Sequence, residues 1–380
     1  MAERVPAQAT PPGDFIRDEL EARGWTQLVL ADVMGRPLQF VNELLAGRKG
    51  VTPESATGLA AAFGTSAELW MNLDAAYRLW LLRQKEAKEG SASGEIARRA
   101  KLYEIAPVKD MIRRRWIPEP SSADELESSL NRFFGCKVLE EETCLPIAAR
   151  KSTQYGDDTP AQKAWAFRAR HLAKGVGAAR FGCDTFARGL NDLRKLLSHE
   201  ASVRHVPKML AELGVRLVIV EHLPKSMTDG AALWLEGEPV IAISFRYDRI
   251  DGFWFTLAHE IAHVLHSNDD CVDTHLVGAD AVATDAKPDV EKRADAWAAN
   301  FLLDSGEIDR FITRVKPYYS KVRINQFANR VKVHPGIIVG QLQRRKEIPY
   351  SHNREMLVKV RDAIAGSAMV DGWGSAPLTG

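Results

Sequence analysis

Long apolar runs are missing from this sequence: no stretch approaches the roughly 20 residues that a membrane-spanning helix needs. No membrane partner is therefore expected. Cysteine is scarce as well. Cys136, Cys144, Cys183 and Cys271 form no Cys-x-x-Cys pair, which argues against a zinc-ribbon or dithiol redox motif. Four reduced thiols in a cytoplasmic protein are the expectation. The opening residues, MAERVPAQATPPGDF, have no apolar core and no cleavage site, so they do not read as a secretion signal. Charge of one sign is not in excess either. Lys and Arg number 51 and Asp and Glu 50, a net charge of +1. Any nucleic-acid binding must come from a local patch. There is no internal repeat, and 380 residues leave room for two or three domains.

What the chain does contain is His259-Glu260-x-x-His263, inside the apolar stretch Phe253 to Leu265. On a helix, four residues advance about 400°, so the two imidazoles share a face, roughly 6 Å apart along the axis. Both can then reach one tetrahedral zinc ion with bonds of about 2.0–2.1 Å. Glu260 is not a ligand in this pattern but the base that holds the attacking water. The bland alternative is a core helix with satisfied histidines. Burial of two or three histidines on an apolar helix is costly unless each finds a partner, which favours a metal.

A third ligand is expected downstream. Glu291 lies 28 residues after His263, on a helix opened by Pro288 and Asp289 and otherwise lined with Ala294, Trp297, Ala298 and Phe301. Asp295, one turn on, is placed to accept the outer N–H of a ligating histidine. Asp269-Asp270 and Asp280 compete as ligands but sit in an expected loop, and a rigid helix suits a metal shell better. His266 falls near the ligand face and reads as a histidine supporting a ligand or buried in the core rather than a catalytic one, and Cys271 as an incidental thiol. The oxyanion could be met by Tyr247, His266, His275 or Tyr318. Three strands are expected just before the motif helix: 213–220, 230–235 and 239–245. Val240 to Phe245 is the candidate edge strand for pairing with an extended substrate.

The N-terminal third reads as five short amphipathic helices punctuated by Gly24, Gly35, Gly47 and Gly64. Glu89 to Glu95 is small and polar, a hinge. Residues 96–206 read as mainly helical, with a helix between Pro107 and Pro118, one capped by Ser122 and one opened by Thr159-Pro160. Arg113 to Arg115 reads as a solvated charge run. The segment 324–343 imitates a second helix-turn-helix, with packing on the core as its expected role, and the chain after Ile364 is expected to be disordered.

Two resemblances follow. Gly13-x-x-Ile16-x-x-Glu19-Leu20-x-x-Arg23-Gly24, Val41-Asn42-Glu43-Leu44-Leu45-x-Gly47-Arg48, Thr52-Pro53-Glu54 and Trp70-x-Asn72-Leu73 make residues 12–80 resemble HigA-type antitoxins of the Xre repressor class. The resemblance implies a helix-turn-helix on double-stranded operator DNA, with Leu38 to Leu45 as recognition helix. Gln39 and Asn42 would then read base edges, and Arg36, Arg48 and Lys49 would contact phosphates. Further on, Asp251-x-Phe253-Trp254-Phe255-x-Leu257-x-His259-Glu260-x-x-His263, with Glu291-x-x-Ala294-x-x-Trp297-Ala298, resembles the ImmA/IrrE zinc metallopeptidases. Trp297-Ala298 stands where that family has Phe-Ala. The resemblance implies zinc on His259, His263 and Glu291, with Glu260 as general base and a repressor as substrate.

The expected fold is mainly α with a small sheet (α+β). A helix-turn-helix domain (12–88) precedes a helical middle region (96–206), a zincin-like peptidase domain (207–315), a helical extension (316–365) and a tail (366–380). The expected function is a DNA-binding zinc endopeptidase, a homodimer, that regulates transcription by cutting a regulatory protein. The alternative is a HigA-like repressor or antitoxin whose peptidase-like part serves as a sensor or dimerisation module.

Overall fold

A computed structural model describes residues 9–89, 92–139, 159–266, 271–274, 276 and 288–371. The chain divides into two compact units, Met1–Ala97 and Arg98–Gly380.

The first unit holds α1 (Pro12–Arg23), α2 (Gln27–Val33), α3 (Leu38–Leu45), α4 (Pro53–Phe63) and α5 (Ala67–Glu89). Gly24 takes φ 64°, a left-handed conformation that a β-carbon would strain, and its N–H returns to the end of α1. Thr52 and Ser55 form a capping box at the start of α4. Ile16, Leu20, Leu30, Val41, Leu44, Leu59, Phe63 and Trp70 close one core. The expected hinge is narrower than anticipated: helix resumes at Ala92 as α6 (Ala92–Ile105), and residues 90–91 lie outside the described set.

The second unit continues through α7 (Val108–Arg113), α8 (Ala123–Phe134), α9 (Pro160–Ala173), α10 (Cys183–Arg194) and α11 (Val206–Glu212). Ser122 caps α8 and Thr159 caps α9 with a full capping box. Then come β1 (Arg216–Val220), β2 (Thr228–Leu235), β3 (Glu238–Ile243), α12 (Ile250–His266), β4 (Cys271–Thr274) and α13 (Asp289–Leu302). Last are α14 (Ser305–Val315), α15 (Lys321–Val331), α16 (Pro335–Arg344), α17 (Arg361–Ala365) and β5 (Met369–Asp371).

The sheet order is β4-β2-β3-β1-β5. β1 pairs in parallel with β3 and β5, and β2 is antiparallel to β3 and β4. Side chains alternate between two cores, as the period of two along a strand requires. Leu217, Ile219, Ile241 and Ile243 face α12 and the C-terminal helices, while Val218, Val220, Val240 and Ala242 face α8 and α9. Burial on both faces explains why these strands read as continuous apolar runs.

Four expectations are corrected. Val240 to Phe245 is no edge: β3 is central, and its main-chain groups are spent on β1 and β2. Within the expected disordered tail, 369–371 form β5, and Asp371 takes the Arg168 guanidinium at 2.5 Å. Arg114 is not part of a solvated face; it donates to the carbonyls of Glu221 and His222 at 2.6 and 2.7 Å, tying α7 to the end of β1. Cys136 is disulfide-bonded, against the expectation of four thiols, whereas Cys183 is free and exposed. α15 and α16 pack Ile324, Phe327, Ile337, Ile338 and Leu342 into the main core, as expected of that segment.

Candidate metal centre and helix-turn-helix surface

α12 is buried from Ile250 to Val264, so its polar side chains must be satisfied inside the protein. His259 and His263 present their Nε2 atoms 3.0 Å apart. From α13, Glu291 Oε2 lies 3.1 Å from the first and 3.6 Å from the second. A fourth donor comes from β4: Asp273 Oδ2 stands 3.6 Å from His259 Nε2 and 3.5 Å from His263 Nε2. All four donor atoms lie within 4.8 Å of one another.

These separations suit an ion. Four ligands at about 2.0–2.2 Å in a tetrahedron stand about 3.3–3.6 Å apart, edge by edge. The five donor separations above, 3.0–3.6 Å, bracket that value. Two buried imidazoles, the buried Asp273 and the half-buried Glu291 converging without a cation would carry a heavy desolvation cost. Both oxygens of Glu260 are buried beside the Asp273 carboxylate, a crowding of acids that a cation would relieve. The donor set thus fits a divalent ion held by His259, His263 and Glu291 with Asp273 against them.

Titration in the metal-free protein follows the same crowding. Burial alone would lower the His259 pKa, but Asp273, Asp295 and Glu291 raise it to about 9. Glu260 is pushed well above the ordinary carboxylate range, first by burial and then by the charges of Asp273 and Glu291. Burial would also raise Glu291, yet contacts with His259 and His263 hold it well below that range.

Behind the donors, Asp295 Oδ1 lies 3.0 Å from His259 Nδ1. Its other oxygen takes the Arg344 guanidinium at 2.8 Å. Arg344 also donates to the Leu276 carbonyl at 2.9 Å and lies 3.8 Å over the Phe255 ring. The close approach of β2 to α12 requires Gly230, where a β-carbon would collide with Glu260 Oε1 and Thr256.

The structure therefore brings together His259, Glu260, His263, Glu291 and Asp295 as the spacing predicted. His266 is exposed at the end of α12 and is not the buried structural residue anticipated. Tyr318 is 75% exposed and Tyr247 stacks with Arg246. Asp269, Asp270, His275 and Asp280 lie outside the described residues. Asp273 and Arg344 were missed. Asp273 is one acid among several in a polar stretch, and only the pairing of β4 with β2 selects it. Arg344 looks like part of an ordinary basic run.

On the first unit, α3 spans the expected recognition helix. Arg48 and Lys49 are exposed beyond its end, and Lys49 Nζ lies 4.6 Å over Phe40. Leu38, Gln39, Asn42, Glu43 and Arg48 line an open concavity. Not all the predicted contacts are unencumbered. Gln39 donates to Glu43 at 3.0 Å, Arg36 pairs with Glu54, and the Asn42 Oδ1 is buried without a partner.

The sequence profile of the IrrE N-terminal-like domain matches residues 211–342, which contain every element of the donor cluster. The N-terminal unit matches other proteins. Virulence-associated protein I of Dichelobacter nodosus is 31% identical over 77 residues, 20% of this chain and 71% of that protein. The uncharacterized HTH-type transcriptional regulator YddM of Escherichia coli is 32% identical over 68 residues, 18% of this chain and 72% of that protein. Over its N-terminal unit the chain belongs to the same helix-turn-helix regulator family as these relatives, and an IrrE N-terminal-like domain follows it. Among solved structures, the HigA-family addiction module antidote protein of Coxiella burnetii is 30% identical, covering 22% of this chain and 90% of that one, at a TM-score of 0.21. The IrrE-like domain is metallopeptidase-like by its family. Among the described residues, no helix is long and apolar enough to cross a membrane.

Proposed function

We propose that this protein is a zinc-dependent endopeptidase that carries its own operator-binding domain and regulates transcription by cutting a regulatory protein. The observation that carries the reading is the meeting of His259, His263 and Glu291 with a fully buried Glu260 beside them. A scaffold or sensor needs the donors but has no use for a buried carboxylate at that place. A zinc ion there would acidify a water and polarise a peptide carbonyl. Glu260 would take a proton at its carboxylate and return it to the leaving amine. Asp295, fixed by Arg344, would hold the His259 ring in one tautomer with Nε2 directed at the donor cluster. For the first unit, the exposed Arg48 and Lys49 beside α3 support contacts to duplex phosphates, and Gln39 and Asn42 face the concavity where base edges would lie. Operator half-sites read by a homodimer follow from that class of motif.

The test compares protein N-termini by mass spectrometry in host cells carrying the wild type or Glu260→Gln, with and without DNA damage or oxidative stress. The substitution keeps the donors and removes the base. New N-termini that depend on Glu260 are expected. Identical N-termini under every condition, with DNA binding intact, would favour the regulator reading, in which the IrrE-like domain senses a signal or dimerises.

A further inference from the structure

β4 is the edge strand beside β2, and it lies where an extended peptide would pair with the sheet next to α12. Its Asp273 pairs in register with Gly230, the residue that lets β2 approach Glu260. From there the carboxylate reaches both histidine Nε2 atoms at 3.5–3.6 Å. It therefore stands between the metal-binding atoms and the base, the place a reacting water would need. Asp273 is itself buried. The strand is anchored just past its end: the Leu276 N–H donates to Asp229 at 2.7 Å, and the Leu276 carbonyl accepts from Arg344 at 2.9 Å. Asp229 is in turn held 3.4 Å from Arg246.

We propose that Asp273 is a fourth protein ligand that closes the metal centre at rest, and that β4 is an internal occupant of the substrate strand position. The proposal rests on the metal reading above, not on proteolysis having been observed. Two His, one Glu and one Asp complete a tetrahedron, the arrangement of a closed site, whereas a catalytic centre keeps one position open. Activity then requires β4 to leave the β2 edge and take Asp273 with it. One movement frees both the metal position and the strand position, so the chain stays latent until a signal or the substrate itself displaces β4. The Arg344 contacts to Leu276 and Asp295 join the anchor of β4 to the support of His259, so the strap and the metal ligand share one guanidinium.

The test loads the full-length wild type, Asp273→Ala and Asp273→Asn with Co2+ and follows the visible absorption of the ion during titration with acetohydroxamic acid. This small chelator needs an open coordination position. The wild type should show no spectral change at about 10 mM, whereas both variants should bind with a dissociation constant on the order of 1 mM or tighter. Equal binding by the wild type and the variants would overturn the proposal. If neither variant folds, the wild-type titration decides alone, because a centre with an open position would bind the chelator. Failure of the wild type to take up Co2+, with His263→Ala unchanged from it, would overturn the metal reading and this proposal together. A closed wild type and open variants, with no Glu260-dependent cleavage in cells, would leave Asp273 as the fourth ligand and favour the regulator reading over the peptidase.

Discussion

Replacing Asp295 with alanine separates what this side chain does for the metal from what it does for the fold. The carboxylate is buried and bridges two groups, His259 Nδ1 at 3.0 Å and Arg344 at 2.8 Å. Loss of the histidine's outer partner typically weakens metal binding about 10–100-fold, or about 1.4–2.7 kcal/mol. Loss of the arginine's partner is a stability matter. Breaking a buried pair costs about 3–5 kcal/mol. Here the Arg344 side chain is 23% exposed and keeps the Leu276 carbonyl and the Phe255 ring, so about 2–3 kcal/mol is expected. Arg344→Met provides the control. It should lower stability by a similar amount and cost less zinc affinity than Asp295→Ala, because Asp295 still faces His259 although it and the anchor of β4 lose the guanidinium. Zinc affinity is read by competition with a chromophoric chelator, and stability by urea denaturation of the metal-free protein. Asp295→Ala within twofold of wild-type affinity would refute the argument. Equal losses of affinity in both variants would show that Asp295 acts only through packing.

Three further expectations rest on other parts of the molecule. Gly230→Ala should retain full zinc stoichiometry but lower Glu260-dependent cleavage at least about tenfold, since the new methyl displaces the Glu260 carboxylate; wild-type cleavage in that variant would contradict the close approach of β2 to α12. His171 packs edge-on against Phe133, and burial, with Lys174 and Arg168 nearby, lowers its pKa to about 4. Its unfolded value is near 6.5, so the unfolded chain binds the extra proton first, and the neutral ring's contribution is lost as pH falls from about 6.5 to 4. After a discount for solvent screening, about 1–2 kcal/mol of acid sensitivity should disappear in His171→Phe, read as the difference between urea midpoints at the two pH values. On the DNA side, Arg48→Ala/Lys49→Ala should weaken retention of the protein's own promoter fragment about tenfold and reduce the salt slope by about 2. Unchanged retention in a gel shift would remove those residues from the interface.

The sequence by itself determined the helix that carries His259, Glu260 and His263, because a four-residue spacing and an apolar stretch are local properties of the chain. It also determined Glu291 and Asp295, again four residues apart on one helix, and the glycine-punctuated helices of the first unit. What only the tertiary structure decided depends on pairing between distant segments. The strand 238–243 reads equally well as edge or centre, and its place was settled by β1 docking alongside it, with β5 beyond β1 from a segment expected to be disordered. Asp273 gains its position from a four-residue strand whose only sequence signal is its own brevity. Arg344 becomes the support of Asp295 because α16 packs against α12. Local periodicity reports which face of an element is buried, but not which partner buries it, and at this centre the partner supplies the fourth donor.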